Sequence, residues 1–112
     1  MLKLWTTIEK PEMSLLKDPM HPGDVLKELY LDPLEMSALA LAKYLAVPRT
    51  RVERLVKGET RLTMDTALRL AKAFDTTPEY WINMQVNFDR AEAAKTVDLS
   101  EVRPVPMTQA NT

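Results

Sequence analysis

The sequence predicts an all-α domain of five helices, and three observations carry that prediction. Apolar residues recur at helical spacing in five stretches between residues 22 and 95; Ser, Thr or Pro stands at the start of each; and no stretch in that span alternates as a strand would. The size is right for one compact core, since the chain has 112 residues with 46% hydrophobic and 28% charged content. A chain this short buries a modest share of its surface, so self-association is a natural supplement.

The first helix is predicted from Pro22, a residue suited to a first turn. Asp24 lies near the positive end of the helix dipole, and Val25, Leu26, Leu29 and Tyr30 form the apolar stripe. Pro33 is expected to stop it. Ser37 then caps a run of strong helix formers, Ala38 to Leu45, with Leu41, Ala42 and Leu45 on one side. Pro48 opens a third helix that ends near Gly58. Thr63 caps a fourth over Met64 to Phe74, where Ala67, Leu68, Leu70, Ala71 and Phe74 carry the period. Thr77-Pro78-Glu79 supplies the cap, first turn and dipole partner of a fifth helix running to about Lys95.

This pattern divides the chain into a flexible N-terminal arm at residues 1 to 20, a helical domain at 21 to 95 and a C-terminal tail at 96 to 112. The arm, interrupted by Pro11 and Pro19, has no sustained helical period, yet it bears Leu2, Leu4, Trp5, Ile8, Met13, Leu15 and Leu16. That is more apolar side chain than a solvated tail carries, and both docking of a partner and folding back on the domain account for it. The stretch from Val97 to Val105 alternates weakly and is expected to be extended, adding a strand or lid over the dimer around Val102, and the segment from residue 106 to the end is expected to be disordered.

Several function classes are disfavoured at once. The chain has no cysteine, so disulfides, thiolate metal sites and cysteine nucleophiles are absent, which suits a reducing compartment. The sole histidine, His21, stands beside Pro22 at a helix start, where capping or packing explains it better than catalysis. No clustered metal-ligand spacing is present, so neither an enzyme nor a bound cofactor is expected. No apolar run approaches the roughly 18 residues of a membrane span, and the charged N-terminus is unlike a signal peptide, so a cytoplasmic location with no membrane partner is the expectation.

The formal charge of -1 at first argues against DNA, whose phosphates supply most non-specific affinity. Its distribution argues the other way. Residues 43 to 72 hold eight basic side chains against Glu53, Glu59 and Asp65, a local balance of +5, while the rest of the chain stands at -6. A basic stretch in an acidic chain fits one oriented binding face, although a merely solvated charged face has the same signature.

Residues 38 to 57 meet the requirements of a helix-turn-helix: two helices, a short turn, and a small residue, Ala42, where they touch. Leu41, Leu45 and Val47 build one half of the small core, and Val52 and Leu55 anchor the second helix to it. At about 100° per residue, an inward Val52 turns Thr50, Arg54 and Lys57 outward as a polar, basic stripe. A helix offered to the major groove reads bases mainly with its N-terminal residues, so Arg49, Thr50, Glu53 and Arg54 are the base-reading candidates. Ser37, Lys43, Arg51, Lys57, Gly58 and Arg61 are candidates for positioning contacts with the DNA backbone. The turn position that glycine usually fills in this motif is Ala46, and alanine at positive φ costs about 1 kcal/mol.

Five segments now bear on family. They are His21-Pro22-Gly23-Asp24-Val25-Leu26, Ala42-Lys43, Val47-Pro48-Arg49-Thr50-Arg51-Val52, the run from Thr63 to Ala71, and Thr77-Pro78-Glu79-Tyr80-Trp81-Ile82-Asn83-Met84-Gln85. Together they closely resemble the HigA antitoxin family in order and spacing over residues 20 to about 90. The resemblance implies an Xre-type, lambda-repressor-like five-helix domain that binds a palindromic operator as a dimer and represses its own operon. It also implies a partner toxin resembling HigB, an mRNA-cleaving endonuclease that the antitoxin holds inactive.

The fifth helix carries apolar residues on two lines, Trp81, Met84 and Phe88 on one and Ile82 and Val86 on the other. One line covers the core; the second, Ile82 and Val86, is assigned to a symmetric homodimer contact, with burial of both lines in the core as the alternative. A dimer of this kind would set two recognition helices roughly 34 Å apart, one turn of DNA. Two other classes stay open: a free-standing Xre-type regulator with no toxin, and a protein-interaction module without DNA binding, which the Thr50, Arg54 and Lys57 stripe argues against.

Overall fold

The computed structural model describes residues 18–107, and among them the only regular structure is helical. Five helices follow one another. We number them α1 (residues 22–34), α2 (Ala38–Leu45), α3 (Arg49–Val56), α4 (Met64–Phe74) and α5 (Pro78–Thr96). Helix α1 packs on α3 and α5, α2 on α3 and α4, and α4 on α5, so every helix borders the same core. Leu26, Leu41, Val52, Leu62, Leu70 and Trp81 are among its fully buried side chains. No helix among the described residues is long and apolar enough to cross a membrane.

The helix starts follow from local chemistry. Ser37 Oγ accepts the Ala40 amide at 3.1 Å, Thr63 Oγ1 that of Thr66 at 3.3 Å, and Thr77 Oγ1 that of Tyr80 at 3.1 Å, each satisfying a first-turn N–H that lacks a helical partner. His21 does the same for α1: its Nδ1 accepts the Gly23 amide at 2.9 Å while the ring packs edge-on against Phe88. Pro48 stands just outside α3, in extended conformation, and offers no side-chain cap.

Helix α1 departs from expectation. Pro33 does not stop it; the helix runs Pro22–Leu26 as α, Lys27–Leu31 as a π-turn and Asp32–Leu34 as α again, closing at Glu35 in the left-handed region. The Asp32 amide reaches back five residues to Lys27 O, and this widened turn makes room for a proline ring that a regular helix would drive against the carbonyl four residues earlier. The widening also changes which residue faces inward. Leu31, five positions after Leu26, joins it in the buried core, whereas Leu29 is 62% exposed.

Leu68 is likewise exposed, because it lies nearly opposite Leu70 around α4; the buried polar residue on the inner face is Thr66. Of the N-terminal arm, residues 1–17 lie outside the described residues, as do 108–112 of the tail. From Val97 to Met107 the chain forms no strand; a turn closed by Val102 N–H to Leu99 O (3.0 Å) interrupts the expected extended run, and Val97, Leu99, Val102 and Val105 are exposed.

The turn between α2 and α3 has the conformation that glycine would favour. Ala46 sits at φ 58°, ψ 47°, and its amide closes α2 on Lys43 O, while Val47 N–H reaches Ala42 O at 3.0 Å. Ala46→Gly is therefore expected to raise stability by about 0.5 to 1 kcal/mol, since it removes a Cβ from left-handed backbone. A denaturant titration reads this directly, and an unchanged or lower midpoint would count against strain at this turn.

Candidate nucleic-acid interface

Helix α3 sits on the core through Val52 and Leu55, 2% and 3% exposed, and this fixes what it offers to solvent. Thr50, Arg54 and Lys57 are all exposed, as the helical angle requires, and among the described residues none of the three makes a side-chain hydrogen bond or ion pair. Arg49 and Glu53 are paired with each other across one turn at 3.3 Å. An exposed pair of this kind contributes little stability and is readily exchanged for an external partner.

A groove of about 580 Å³ runs along one flank of α3 toward the start of α4. Arg51, Arg54 and Arg61 enter it together with the hydroxyl-bearing Thr50, Thr60 and Thr63. Guanidinium groups and hydroxyls are the donors that phosphate oxygens and base edges accept from. Ser37 and Lys43 lie apart from this groove, on the outer face of α2 beside Leu39 and Tyr44. Ser37 Oγ is already engaged as the α2 cap.

Three further backbone-contact candidates are held by the chain itself. Arg51 donates to Asp65 Oδ1 at 2.7 Å, and Arg61 pairs with Asp89 of α5. Gly58 stands at φ 75° and its amide donates to Leu55 O at 3.0 Å, while that of Glu59 donates to Arg54 O at 2.9 Å. These two bonds close the C-terminus of α3, so Gly58 supplies left-handed backbone there and has no free N–H to offer a phosphate.

Sequence reasoning missed the groups that hold this surface together. Asp65 Oδ1 also accepts from Arg69 Nε at 2.8 Å, and the hydrogen bonds from Arg69 and Arg51 hold its carboxyl below the ordinary carboxylate range. Gln85, 2% exposed, accepts the Leu62 amide at 2.7 Å and donates to Asp89 Oδ1 at 2.9 Å, so α5 anchors the loop that follows α3. Burial opposes ionisation of Asp89, but hydrogen bonds from Arg61 and Gln85 outweigh it and keep the carboxyl below its usual range. One signal for Gln85 was visible: it lies four residues after Trp81, a polar side chain on the buried line of α5.

On the two residues assigned to a dimer contact, the packing differs. Ile82 is half-buried against the core, whereas Val86 is 51% exposed.

Comparison with known proteins now bears on this surface. Residues 26–81 match the family model described as Helix-turn-helix (HTH_3). The HTH-type transcriptional regulator YbaQ of Escherichia coli K12 is 39% identical over 85 residues, covering 76% of this chain and 75% of that one. Among solved structures, the addiction module antidote protein of the HigA family from Coxiella burnetii superimposes with a TM-score of 0.74 at 46% identity, covering 78% of this chain and 98% of its own. Pseudomonas aeruginosa antitoxin HigA, solved with the higBA promoter, gives a TM-score of 0.70 at 31% identity, covering 78% and 98% respectively.

Proposed function

Because the chain belongs to the Xre-type helix-turn-helix family and has the fold of the HigA antitoxins, we propose that it is an operator-binding antitoxin. In this reading a homodimer binds a palindromic operator, represses its own operon and neutralises an mRNA-cleaving toxin resembling HigB. The observation that carries the DNA part is the exposed Thr50, Arg54 and Lys57 stripe on a helix pinned to the core by its opposite face.

Each group then has a role set by its geometry. Thr50 and Arg54 enter the major groove without first breaking a contact in the protein; Arg49 and Glu53 reach base edges by giving up their mutual pair. Lys43 and Lys57 meet phosphates and set position rather than sequence. Val86, with the exposed edge of α5 around it, forms part of the homodimer contact. Chemistry on a substrate plays no part; the protein acts by occupying DNA and by holding its partner.

Arg54→Ala is the direct test. Arg54 is exposed and unpaired among the described residues, so the melting temperature should hold. Loss of one bidentate arginine contact should weaken binding to the protein's own promoter by about 1 to 3 kcal/mol, roughly 5- to 150-fold, with less effect on unrelated duplex. Equal affinity of wild type and variant in a mobility-shift titration would refute the assigned face.

A free-standing regulator without a toxin is the second reading, favoured by the likeness to YbaQ, which carries only a transcriptional-regulator name. The adjoining reading frame separates the two. A small neighbour that arrests growth when expressed alone, and is silenced by this chain, selects the antitoxin; no such neighbour selects the regulator.

A further inference from the structure

Asp65 lies in the first turn of α4, and its contacts extend well beyond that helix. One oxygen, Oδ1, accepts from Arg51 on α3 at 2.7 Å and from Arg69 on α4 at 2.8 Å. Arg69 in turn donates through Nη1 to the carbonyls of Leu45 (2.8 Å) and Ala46 (3.3 Å), where α2 ends and the turn into α3 begins. The carboxylate therefore joins the recognition helix, the fourth helix and the turn between α2 and α3.

Stability accounts for only part of this arrangement. All three charged groups are substantially exposed, and pairs of that kind contribute little. A favourable position near the α4 dipole would be served by any acid in the first turn. What distinguishes Asp65 is where its charge lies: it is the single carboxylate among the residues that line the groove with Arg51, Arg54 and Arg61.

Affinity for arbitrary duplex depends on how many phosphates are met by cations, whereas discrimination depends on contacts to base edges. A carboxylate on the DNA-facing surface subtracts from the first and leaves the second untouched. It does so twice here, by engaging Arg51 and by repelling phosphate itself.

We propose that Asp65 limits the protein's overall affinity for DNA: by holding Arg51 away from phosphate and placing a negative charge in the groove, it weakens binding to operator and unrelated duplex alike. The proposal rests on the DNA-binding reading above. It assigns Asp65 no contact with bases; the residue acts through Arg51 and through its own charge.

The test compares full-length wild type, Asp65→Asn, Arg51→Gln and the double variant on two labelled duplexes of equal length. One is selected by the wild-type protein from a random pool, the other is that sequence scrambled, and both are titrated across a salt series. Asp65→Asn should bind the scrambled duplex more tightly by on the order of three- to tenfold, with a salt slope steeper by roughly 0.9 for one added phosphate contact. The gain on the selected duplex should be of similar size, and Arg51→Gln in the same chain should abolish most of the gain on both.

Unchanged affinity and slope on the scrambled duplex overturn the proposal. So does parallel weakening on both duplexes with a lowered melting temperature, which would make Asp65 a scaffold residue only. If wild-type protein selects no sequence from the pool, the DNA-binding reading itself fails, and that failure is visible before any variant is compared.

Discussion

Gly23→Ala is expected to lower unfolding free energy by about 3 kcal/mol, the upper part of the range for overpacked sites. A Cβ on Gly23 would stand 1.7 Å from the carbonyl oxygen of Leu55 and 2.7 Å from its carbonyl carbon. These are backbone atoms of α3, and they cannot swing aside as the tip of a long side chain would. The same carbonyl accepts the Gly58 amide that helps close α3, so pushing α1 away also loosens the end of the recognition helix. Urea unfolding measures the loss, and a change below about 1 kcal/mol would mean that α1 slides without cost.

Trp81→Ala carries the other large effect. Trp81 is fully buried, lies 5.2 Å from the Tyr30 ring and 5.1 Å from that of Tyr80, and donates its Nε1–H to Thr76 Oγ1 at 2.8 Å. Truncating a buried tryptophan typically costs about 3 to 5 kcal/mol, through lost apolar burial and the cavity left behind. Against the usual domain stability of about 5 to 15 kcal/mol, that removes a large share. Trp81→Phe should lose less, because the ring contacts largely remain and only the indole hydrogen bond goes. Thermal unfolding followed by circular dichroism distinguishes the two; a small loss for the alanine variant would mean that α1, α4 and α5 collapse into the space.

Much of the candidate surface's geometry was legible because its determinants are local. Ser37, Thr63 and Thr77 cap helices through amides three residues away, so residue type and position suffice to place them. The inward Val52 and Leu55 and the outward Thr50, Arg54 and Lys57 follow from helical angle alone. Ala46 at positive φ followed from its place at the motif position that glycine usually fills. Local rules failed where they met packing: Pro33 reads as a stop, but the π-turn before it relieves the ring and buries Leu31 in place of Leu29.

The partners of the charged groups were not legible, for a different reason. Arg51 and Asp65 are 14 residues apart, Leu62 and Gln85 23, and Arg61 and Asp89 28; each pairing depends on how a distant helix packs against α3 or the loop after it. An arginine placed on an outward face by its helical angle therefore enters the list of DNA contacts whether or not a carboxylate from another helix already holds it.

The sequence by itself determined the helices, their caps and which sides of α3 and α4 carry charge, since these depend on bond geometry and on neighbours within a turn. Only the tertiary structure decided which of those charges stand free, where α1 meets the end of α3, and that Pro33 lies inside a helix. Those outcomes come from contacts between distant parts of the chain, whose energies exceed the local preferences they override.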